Sequence, residues 1–161
     1  MPMTAVIRPA TPADAPLILG FIRALADYEK LLHVVAATEI DIRRDLFGES
    51  PRVFSEIAEL DGEPVGFSLW VYNYSTFVGR HGIYLEDLFV VPEARGRGAG
   101  KALLRALATR CVNESLGRLE WAVLDWNAPS IGFYDSLGAA ALDDWTVRRL
   151  AGDALVTLAR G

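Results

Sequence analysis

The chain has a single cysteine and two histidines among its 161 residues. One cysteine cannot form a disulfide within the chain, so the framework of a small secreted domain is absent. Cys111 falls inside a predicted helix, where we expect an ordinary core residue. Neither His33 nor His81 stands at the spacing of a metal site or a catalytic triad. The sequence therefore predicts no metal and no cysteine nucleophile.

Positive charge and long apolar runs are also scarce. Lys and Arg together number 16 against 21 Asp and Glu, and the formal net charge is -5. This balance argues against a broad nucleic-acid-binding surface. The N terminus lacks the pattern of a signal peptide, and no apolar run approaches the roughly 18 residues that span a bilayer. We therefore expect a cytoplasmic protein that binds neither nucleic acid nor membrane.

Hydrophobic residues make up 52% of the chain, enough for one hydrophobic core. Their number and their periodic spacing predict a single α/β domain over residues 1–161. We predict helices at 11–28, 38–47, 98–114 and 127–134, and strands at 5–8, 53–60, 65–74, 84–91 and 119–124. Asp61 and Gly62 predict a hairpin turn, and the chain after Gly138 predicts terminal strands or a short helix. The two last strands and the helix between them predict a right-handed β-α-β crossover, which makes those strands parallel.

A glycine-rich loop, Arg-Gly-Arg-Gly-Ala-Gly-Lys at residues 95–101, joins a predicted strand to a predicted helix. It is not the phosphate loop of nucleotide triphosphatases, because Arg95 and Ala102 stand where that motif needs Gly and Ser or Thr. It is not the dinucleotide fingerprint, because Lys101 and Leu103 stand where glycine is needed. Glycines let backbone N–H groups approach an anion, and the helix N terminus adds positive charge. The loop therefore predicts a phosphate site of another class.

This loop resembles the R/Q-x-x-G-x-G/A signature by which the GNAT superfamily of N-acetyltransferases binds the pyrophosphate of coenzyme A. Four further segments follow the order found in its diamine branch, the spermidine/spermine and thialysine acetyltransferases: VIRPATPADA at 6–15, LADYEK at 25–30, IYLEDLFV at 83–90 and DWNAPSIGFYDSLGA at 125–139. The resemblance covers nearly the whole chain. It implies an α/β (α+β) GNAT-type fold, with a mixed, mostly antiparallel sheet, one parallel crossover and flanking helices, and it implies a homodimer.

The resemblance also implies acetyl-CoA as the cosubstrate and assigns residues to it. The pyrophosphate would be bound by the glycine loop, namely Arg95, Gly96, Arg97, Gly98, Ala99, Gly100 and Lys101. The pantetheine arm would lie along the main chain of Leu88, Phe89 and Val90. Asn127 and Ser130 would contact the coenzyme from the other side. Both residue types are also common as helix caps, and one role does not exclude the other.

Acetyl transfer to an amine requires a neutral nucleophile, a stabilised oxyanion and a proton for the departing thiolate. An alkylammonium has a pKa near 10.4 and is almost fully charged at pH 7, so a base is useful. The resemblance assigns this role to Glu86, acting through water. Asp87 is the next residue of the same strand and leaves from the opposite face, so we expect a structural role for it.

The general acid implied by the resemblance is Tyr134. A phenol has an ordinary pKa of about 10, so it is protonated at pH 7 and can supply a proton to a thiolate. Periodicity alone favours a different interpretation, in which Tyr134 is a core residue beside Phe133.

The acceptor is expected to be a small primary amine. Tyr28 and Glu29 match a Tyr-Glu pair of the polyamine enzymes, whose glutamate meets a substrate ammonium. The polyamine enzymes continue with more acidic residues, whereas this chain continues with Lys30, and Ser75 stands where the polyamine branch can carry an aspartate. Because a polycation needs several spaced anions, a short diamine or a lysine analogue such as thialysine fits better.

Three alternatives remain open. A protein or antibiotic N-acetyltransferase would keep the coenzyme site and differ at the acceptor site. A non-catalytic acyl-CoA-binding sensor would lack the acid and the base, and the presence of both Tyr134 and Glu86 speaks against it. The third alternative, a nucleotide-binding protein, is less favoured because the glycine spacings match neither nucleotide-binding motif.

Overall fold

A computed structural model describes residues 4–161 and places five strands and five α-helices there. The strands are β1 (Val6–Pro9), β2 (Phe54–Leu60), β3 (Glu63–Ser75), β4 (Arg80–Val90) and β5 (Leu119–Trp121). The helices are α1 (Ala15–Tyr28), α2 (Glu39–Phe47), α3 (Ala99–Asn113), α4 (Ala128–Ser136) and α5 (Gly152–Arg160). The chain divides into two compact units, one ending at Ala122 and the other comprising Val123–Gly161. Each unit is described by itself.

The first unit contains one sheet with the strand order β1-β2-β3-β4-β5. The pairs from β1 to β4 are antiparallel, and β4 pairs with β5 in parallel, which confirms the predicted mixed sheet. The predicted turn between β2 and β3 is present, with φ of 54° at Asp61 and 80° at Gly62. Positive φ at both positions suits the right-handed twist of a two-residue hairpin.

Two strand boundaries differ from the prediction by more than two residues. β4 begins at Arg80, four residues before the predicted start, because its pairing with β3 continues as far as Ser75 opposite Arg80. β5 ends at Trp121, three residues before the predicted end, and pairs with β4 only from Ile83 to Leu85. Cross-strand pairing sets both boundaries, and the local apolar pattern does not report it.

Helices pack on both faces of the sheet. On one face, α1 and α2 bury side chains such as Ile18, Phe21 and Ile42 against strand residues that include Phe67 and Phe89. On the other face, Ala99 and Leu103 of α3 pack with Ala58 of β2, and Leu88 and Val90 of β4 border this second cluster. Alternate residues at the end of β4 therefore belong to opposite cores, as the two-residue period of a strand requires.

Short polar side chains bond to the backbone at the start of α2 and in the turn just before α1. Thr38 caps α2, with its Oγ accepting the N–H of Asp41 at 3.3 Å, while the Asp41 carboxylate accepts the N–H of Thr38 at 2.8 Å. Before α1, the Asp14 carboxylate accepts the N–H of Thr11 at 2.7 Å and is held by Arg8 at the same distance. The hydrogen bonds from Arg8 hold the pKa of Asp14 below its usual value. The reciprocal bonds between Thr38 and Asp41 form a capping box at the start of α2.

Buried polar groups connect α3 to the sheet. The Glu56 carboxylate accepts hydrogen bonds from Trp70 Nε1 at 2.6 Å and Ser68 Oγ at 2.9 Å, and it lies 3.5 Å from Arg110 of α3. The free Cys111 next to Arg110 is buried, as predicted for a core residue. Its burial raises the pKa of the thiol, which keeps the sulfur in the less reactive protonated form.

The second unit contains α4 and α5. Asn127 caps α4 through its side-chain oxygen, which accepts the N–H of Ser130 at 3.4 Å. Gly138 follows the helix with a φ of 82°. Beyond Gly138 the structure has one helix, α5, and no strand, so the second of the two expectations for this region is correct. None of the helices within residues 4–161 has the length and apolar character needed to cross a membrane.

Candidate active site

The loop after β4 has the backbone form of an anion site. Gly96 and Gly98 have φ of 77° and 85°, a region that side-chain-bearing residues rarely adopt. The space where their Cβ atoms would project is open to 4 Å. α3 begins at Ala99 with no side chain capping its first turn, so its first backbone N–H groups remain for a ligand.

The two arginines of this loop extend to different parts of the unit. The Arg95 guanidinium lies over the ring of Tyr28 at the end of α1, 5.1 Å from the centroid, and its Nε donates to the Val90 carbonyl at 3.0 Å. The Arg97 guanidinium approaches Asp61 in the β2–β3 turn, at 3.8 Å. Together with the exposed Lys101, these charges surround the glycines, so the residues present fit a pyrophosphate.

The end of β4 offers main-chain groups to the pantetheine arm. The side chains of Leu88, Phe89 and Val90 are already used in the two cores. Beyond Leu85, β4 has no strand neighbour on the β5 side within residues 4–161, because pairing with β5 stops there. Backbone N–H and C=O groups along this edge can therefore bind an extended ligand.

A β-bulge interrupts β4 at Glu86. Leu85 pairs with Trp70, and Asp87 pairs with Leu69, so Glu86 is an extra residue with no partner in β3. Cross-strand partners share a face. Trp70 faces α3, where Arg110 covers its ring, whereas Leu69 packs in the core beneath α1 and α2. The bulge therefore turns Asp87 toward α1, although strict alternation from Leu85 would turn it toward α3.

Two carboxylates, Glu86 and Glu29, act by their charge on a third, Asp87. Burial, together with the smaller effects of the negative charges of Glu86 and Glu29, raises the pKa of Asp87 to about 6. Burial also raises the pKa of Glu29, which follows the last residue of α1. Like charges near a half-buried carboxylate make its ionised form costly, and a cationic ligand removes that cost.

A backbone reversal ends α1 beside these carboxylates. Lys30 adopts a φ of 62°, and the N–H of Leu31 donates to the carbonyl of Ala26 at 2.7 Å. This is the pattern of a helix C terminus closed by a left-handed residue, a position that glycine usually occupies. The reversal fixes the half-buried Tyr28 and Glu29 in the last turn of α1.

Ser75 has a structural partner. It is buried at the end of β3, and its Oγ accepts the N–H of Val78 at 3.2 Å in the β3–β4 connection. A serine at this position therefore stabilises a turn and brings no charge to the acceptor side.

The remaining predicted residues belong to the second unit. Asn127, Ser130 and Tyr134 lie on α4 or at its cap, and the rings of Phe133 and Tyr134 are 5.6 Å apart. Asn127 is buried, whereas Ser130 and Tyr134 are half-buried. The first unit thus brings together Tyr28, Glu29, Glu86, Asp87 and Arg95, and the second unit brings together the cap of α4 and its tyrosine.

The glycine loop at the end of β4 is suited to bind a phosphorylated ligand, and the carboxylates near the bulge of the same strand are suited to attract a cation. Residues 18–139 match the acetyltransferase (GNAT) family, and the chain belongs to this family. It is an acetyl-CoA-dependent N-acetyltransferase. Enzymes of this family use acetyl-CoA as the acetyl donor.

The chain is similar to named relatives over nearly its whole length. A thialysine N-epsilon-acetyltransferase of Bos taurus is 40% identical over 165 residues, which cover 96% of each chain. An L-ornithine N5-acetyltransferase of Arabidopsis thaliana is 32% identical over 198 residues, covering 95% of this chain and 87% of the relative. Among solved structures, an integron cassette protein from the mobile metagenome of V. cholerae superimposes with a TM-score of 0.80 at 27% identity, covering 99% of both chains.

Sequence reasoning missed one candidate functional residue, Asp87, for which it expected a structural role. The bulge at Glu86 places Asp87 on the α1 side of the sheet, within the electrostatic influence of Glu29. The adjacency of Glu86 and Asp87 was the available signal. The bulge results from the pairing of β3 with β4, so the sequence of either strand alone does not predict it.

Proposed function

We propose that this enzyme transfers an acetyl group from acetyl-CoA to a primary amine of a small molecule, a lysine analogue such as thialysine or a short diamine. The observation that carries the proposal is the cluster of Glu29, Glu86 and Asp87, in which burial and the negative charges of the two glutamates raise the pKa of Asp87 to about 6. Such a cluster attracts one ammonium group. The thialysine acetyltransferase named above supports the same acceptor class.

The cluster supports a small acceptor over a long polyamine. After Glu29 the chain continues with Lys30, which brings a positive charge to the end of α1. Ser75 is neutral and is used in a turn. The carboxylates are therefore concentrated near one position, and the spaced anions that a polycation requires are missing at these two places.

The proposed roles follow from the ordinary requirements of acyl transfer. Acetyl-CoA supplies an acetyl group activated as a thioester. Asp87 and Glu29 orient the acceptor ammonium by charge, and Glu86 accepts a proton from its nitrogen, directly or through water. Tyr134 holds a proton at its phenolic oxygen for the departing sulfur. The loop from Arg95 to Lys101 binds the pyrophosphate, the main chain of Leu88, Phe89 and Val90 follows the pantetheine arm, and Asn127 and Ser130 contact the coenzyme.

The test is a panel of amines with acetyl-CoA and detection of the free thiol released. The panel contains thialysine, lysine, ornithine, putrescine, spermidine, spermine, an aminoglycoside and a lysine-containing peptide. We expect thialysine or a short diamine to have the highest kcat/KM. A preference for spermine, for the peptide or for the aminoglycoside would contradict the proposed acceptor class.

A Tyr134→Phe variant tests the proposed acid. Loss of the phenolic proton is expected to lower kcat by about 10²-fold, the lower end of the range for a positioned general acid, with little change in the KM for either substrate. The control is Phe133→Leu, which alters the neighbouring ring and keeps the phenol. Undiminished turnover in Tyr134→Phe would remove Tyr134 from the mechanism.

We propose further that the enzyme is a single-domain, cytoplasmic homodimer. Every residue of α5 is exposed, including Leu155 and Leu158, which lie one turn apart on the helix. An apolar stripe of this kind supports an interface with a second copy. The single, buried cysteine supports a reducing compartment. Light scattering should give twice the mass of one chain, and Leu155→Asp with Leu158→Asp should give the monomer mass.

A further inference from the structure

We propose that Arg95 is a positioning residue that couples occupancy of the pyrophosphate loop to the acceptor site through the ring of Tyr28. The inference rests on the proposed function, because it describes how coenzyme binding and acceptor binding are coupled at the same proposed site. Its basis is a contact between two residues for which sequence reasoning expected separate duties, one in coenzyme binding and the other in acceptor binding.

The Arg95 side chain spans the two halves of the site. Its guanidinium carbon lies 5.1 Å from the centroid of Tyr28 and 5.6 Å from that of Phe89, so two aromatic rings border the cation. Its Nε donates to the Val90 carbonyl at 3.0 Å, at the last residue of β4. The side chain is thus held between the strand that leads to the glycine loop and the helix end that carries Glu29.

The geometry of a guanidinium permits both contacts at once. Its N–H donors lie in the plane of the group, while its faces are free to stack on rings. With Nε used by Val90, the terminal nitrogens of Arg95 have no hydrogen-bond acceptor among residues 4–161. They can therefore donate to a phosphate oxygen while the cation stays over Tyr28.

Binding of a phosphate then acts on the acceptor side. Arg95 is exposed, so it gains order when its terminal nitrogens are held by an anion. An ordered Arg95 restrains the ring of Tyr28, which is one residue from Glu29. An acceptor that binds after the coenzyme meets a side chain that is already ordered, and its affinity rises accordingly. Linkage requires that the acceptor strengthen coenzyme binding by the same factor.

Arg97 provides the matched control. It stands two residues away in the same loop, has the same charge and approaches Asp61 in the β2–β3 turn instead of Tyr28. Loss of its charge is expected to weaken coenzyme binding. Its loss should leave the link between the coenzyme and the acceptor unchanged.

The first experiment needs no acceptor and uses desulfo-CoA as the probe in calorimetric titrations. Tyr28→Leu is expected to weaken desulfo-CoA binding about threefold when Arg95 is present, a factor typical of an exposed cation–π contact. The same substitution should have no effect in an Arg95→Met background and should keep its threefold effect in an Arg97→Met background. Tyr28→Phe keeps the ring, so it should weaken desulfo-CoA binding less than Tyr28→Leu does when Arg95 is present. Equal effects of Tyr28→Leu in the three backgrounds, or no effect in any, would overturn the proposal.

The second experiment measures the binding of thialysine with and without saturating desulfo-CoA. The wild type and Arg97→Met are expected to bind thialysine about threefold more tightly when desulfo-CoA is present, and Arg95→Met should show a ratio of one. Far-UV circular dichroism and thermal melting identify any variant that has lost its fold. If the wild type acetylates no amine but the first experiment gives the expected pattern, the proposed function fails and the coupling stands. If amines are acetylated and both experiments show no dependence on Arg95, the coupling fails alone.

Discussion

The proposed site along the bulged strand β4 has a donor end beyond Val90 and an acceptor end around Glu86, and these two regions are built from different groups. Beyond Val90, the donor end consists mainly of backbone: two glycines in left-handed conformations and the uncapped first turn of α3. Around Glu86, the acceptor end consists of carboxylate side chains from β4 and from the end of α1. A site made of backbone depends on local conformation, whereas a site made of side-chain charges depends on which elements meet.

This difference has consequences for how each end tolerates change. A donor site that relies on N–H groups depends on the glycines and is insensitive to most neighbouring side chains. The proposed acceptor site relies on clustered carboxylates, so its affinity for a cation, and the pKa of Asp87 within it, change when a nearby charge is added or removed. The donor end thus suits a constant coenzyme, and the acceptor end suits substrates that differ between relatives.

The largest expected effect comes from removing the proposed base. Glu86→Gln keeps the shape of the side chain and removes its ability to accept a proton, so kcat should fall by about 10²-fold or more. Steady-state kinetics with saturating acetyl-CoA measure the loss. Glu63→Gln, an exposed position at the start of β3, is the control and should retain wild-type kcat. A Glu86→Gln enzyme with wild-type kcat would move the base elsewhere in the cluster.

The second effect concerns stability against pH. The folded-state pKa of Asp87 is raised from 3.8 to about 6, so its contribution is fully favourable below about pH 4 and is lost as pH rises to about 6. The loss amounts to at most about 3 kcal/mol of the free energy of unfolding. Asp87→Asn should remove this dependence, and it should be more stable than the wild type at pH 7.5 while losing activity.

Urea unfolding at pH 4, 5, 6 and 7.5 measures this difference. Asp27→Asn, an exposed carboxylate in the last turn of α1, is the control and should keep the wild-type slope between pH 4 and 6. Parallel slopes for Asp87→Asn and the wild type would show that Asp87 ionises in the folded protein as it does in the unfolded chain.

The third effect tests the backbone end. Gly98→Ala places a methyl group on a residue with φ of 85°, so we expect a loss of about 1 kcal/mol in unfolding free energy and about tenfold weaker binding of acetyl-CoA. Gly20→Ala in the exposed interior of α1 is the control, since its Cβ meets open space. The control should gain about 0.5–1 kcal/mol. Equal coenzyme affinity in both variants would remove the glycine conformation from the donor site.

The smallest effect tests acceptor choice. Ser75→Asp keeps an oxygen that can accept the Val78 N–H and adds a negative charge, so kcat/KM for spermidine should rise about threefold while that for thialysine stays constant. Ser75→Asn keeps the acceptor without the charge and should match the wild type. If Asp and Asn at this position behave alike, charge at the β3–β4 connection does not influence the acceptor.

Local chemistry made much of the first unit predictable. The Asp61–Gly62 turn and the glycine loop each depend on a few consecutive residues, and the sheet and helices follow the apolar periods that lie between such turns. The features that escaped prediction are non-local. The bulge at Glu86 depends on the pairing between β3 and β4. The effect of the Glu29 charge on the pKa of Asp87 depends on where α1 ends.

The position of Arg95 illustrates the same limit within a predicted motif. Its membership of the pyrophosphate loop is readable from glycine spacing, but its placement over Tyr28 joins residues 67 positions apart in the chain. No local pattern records such a contact. The type of ligand that a loop residue binds can therefore be predicted from the sequence, whereas the residues that it contacts are known only from the structure.

The burial of Cys111 has a practical consequence for measuring this enzyme. A thiol-reactive chromophore added to the native protein meets a sulfur that is enclosed and held in its protonated form, so the reagent should count released coenzyme with little background from the protein. When the chain unfolds, the same sulfur becomes reactive at one equivalent per chain. One reagent can thus follow the release of coenzyme by the folded enzyme and, under denaturing conditions, report the fraction of unfolded chains.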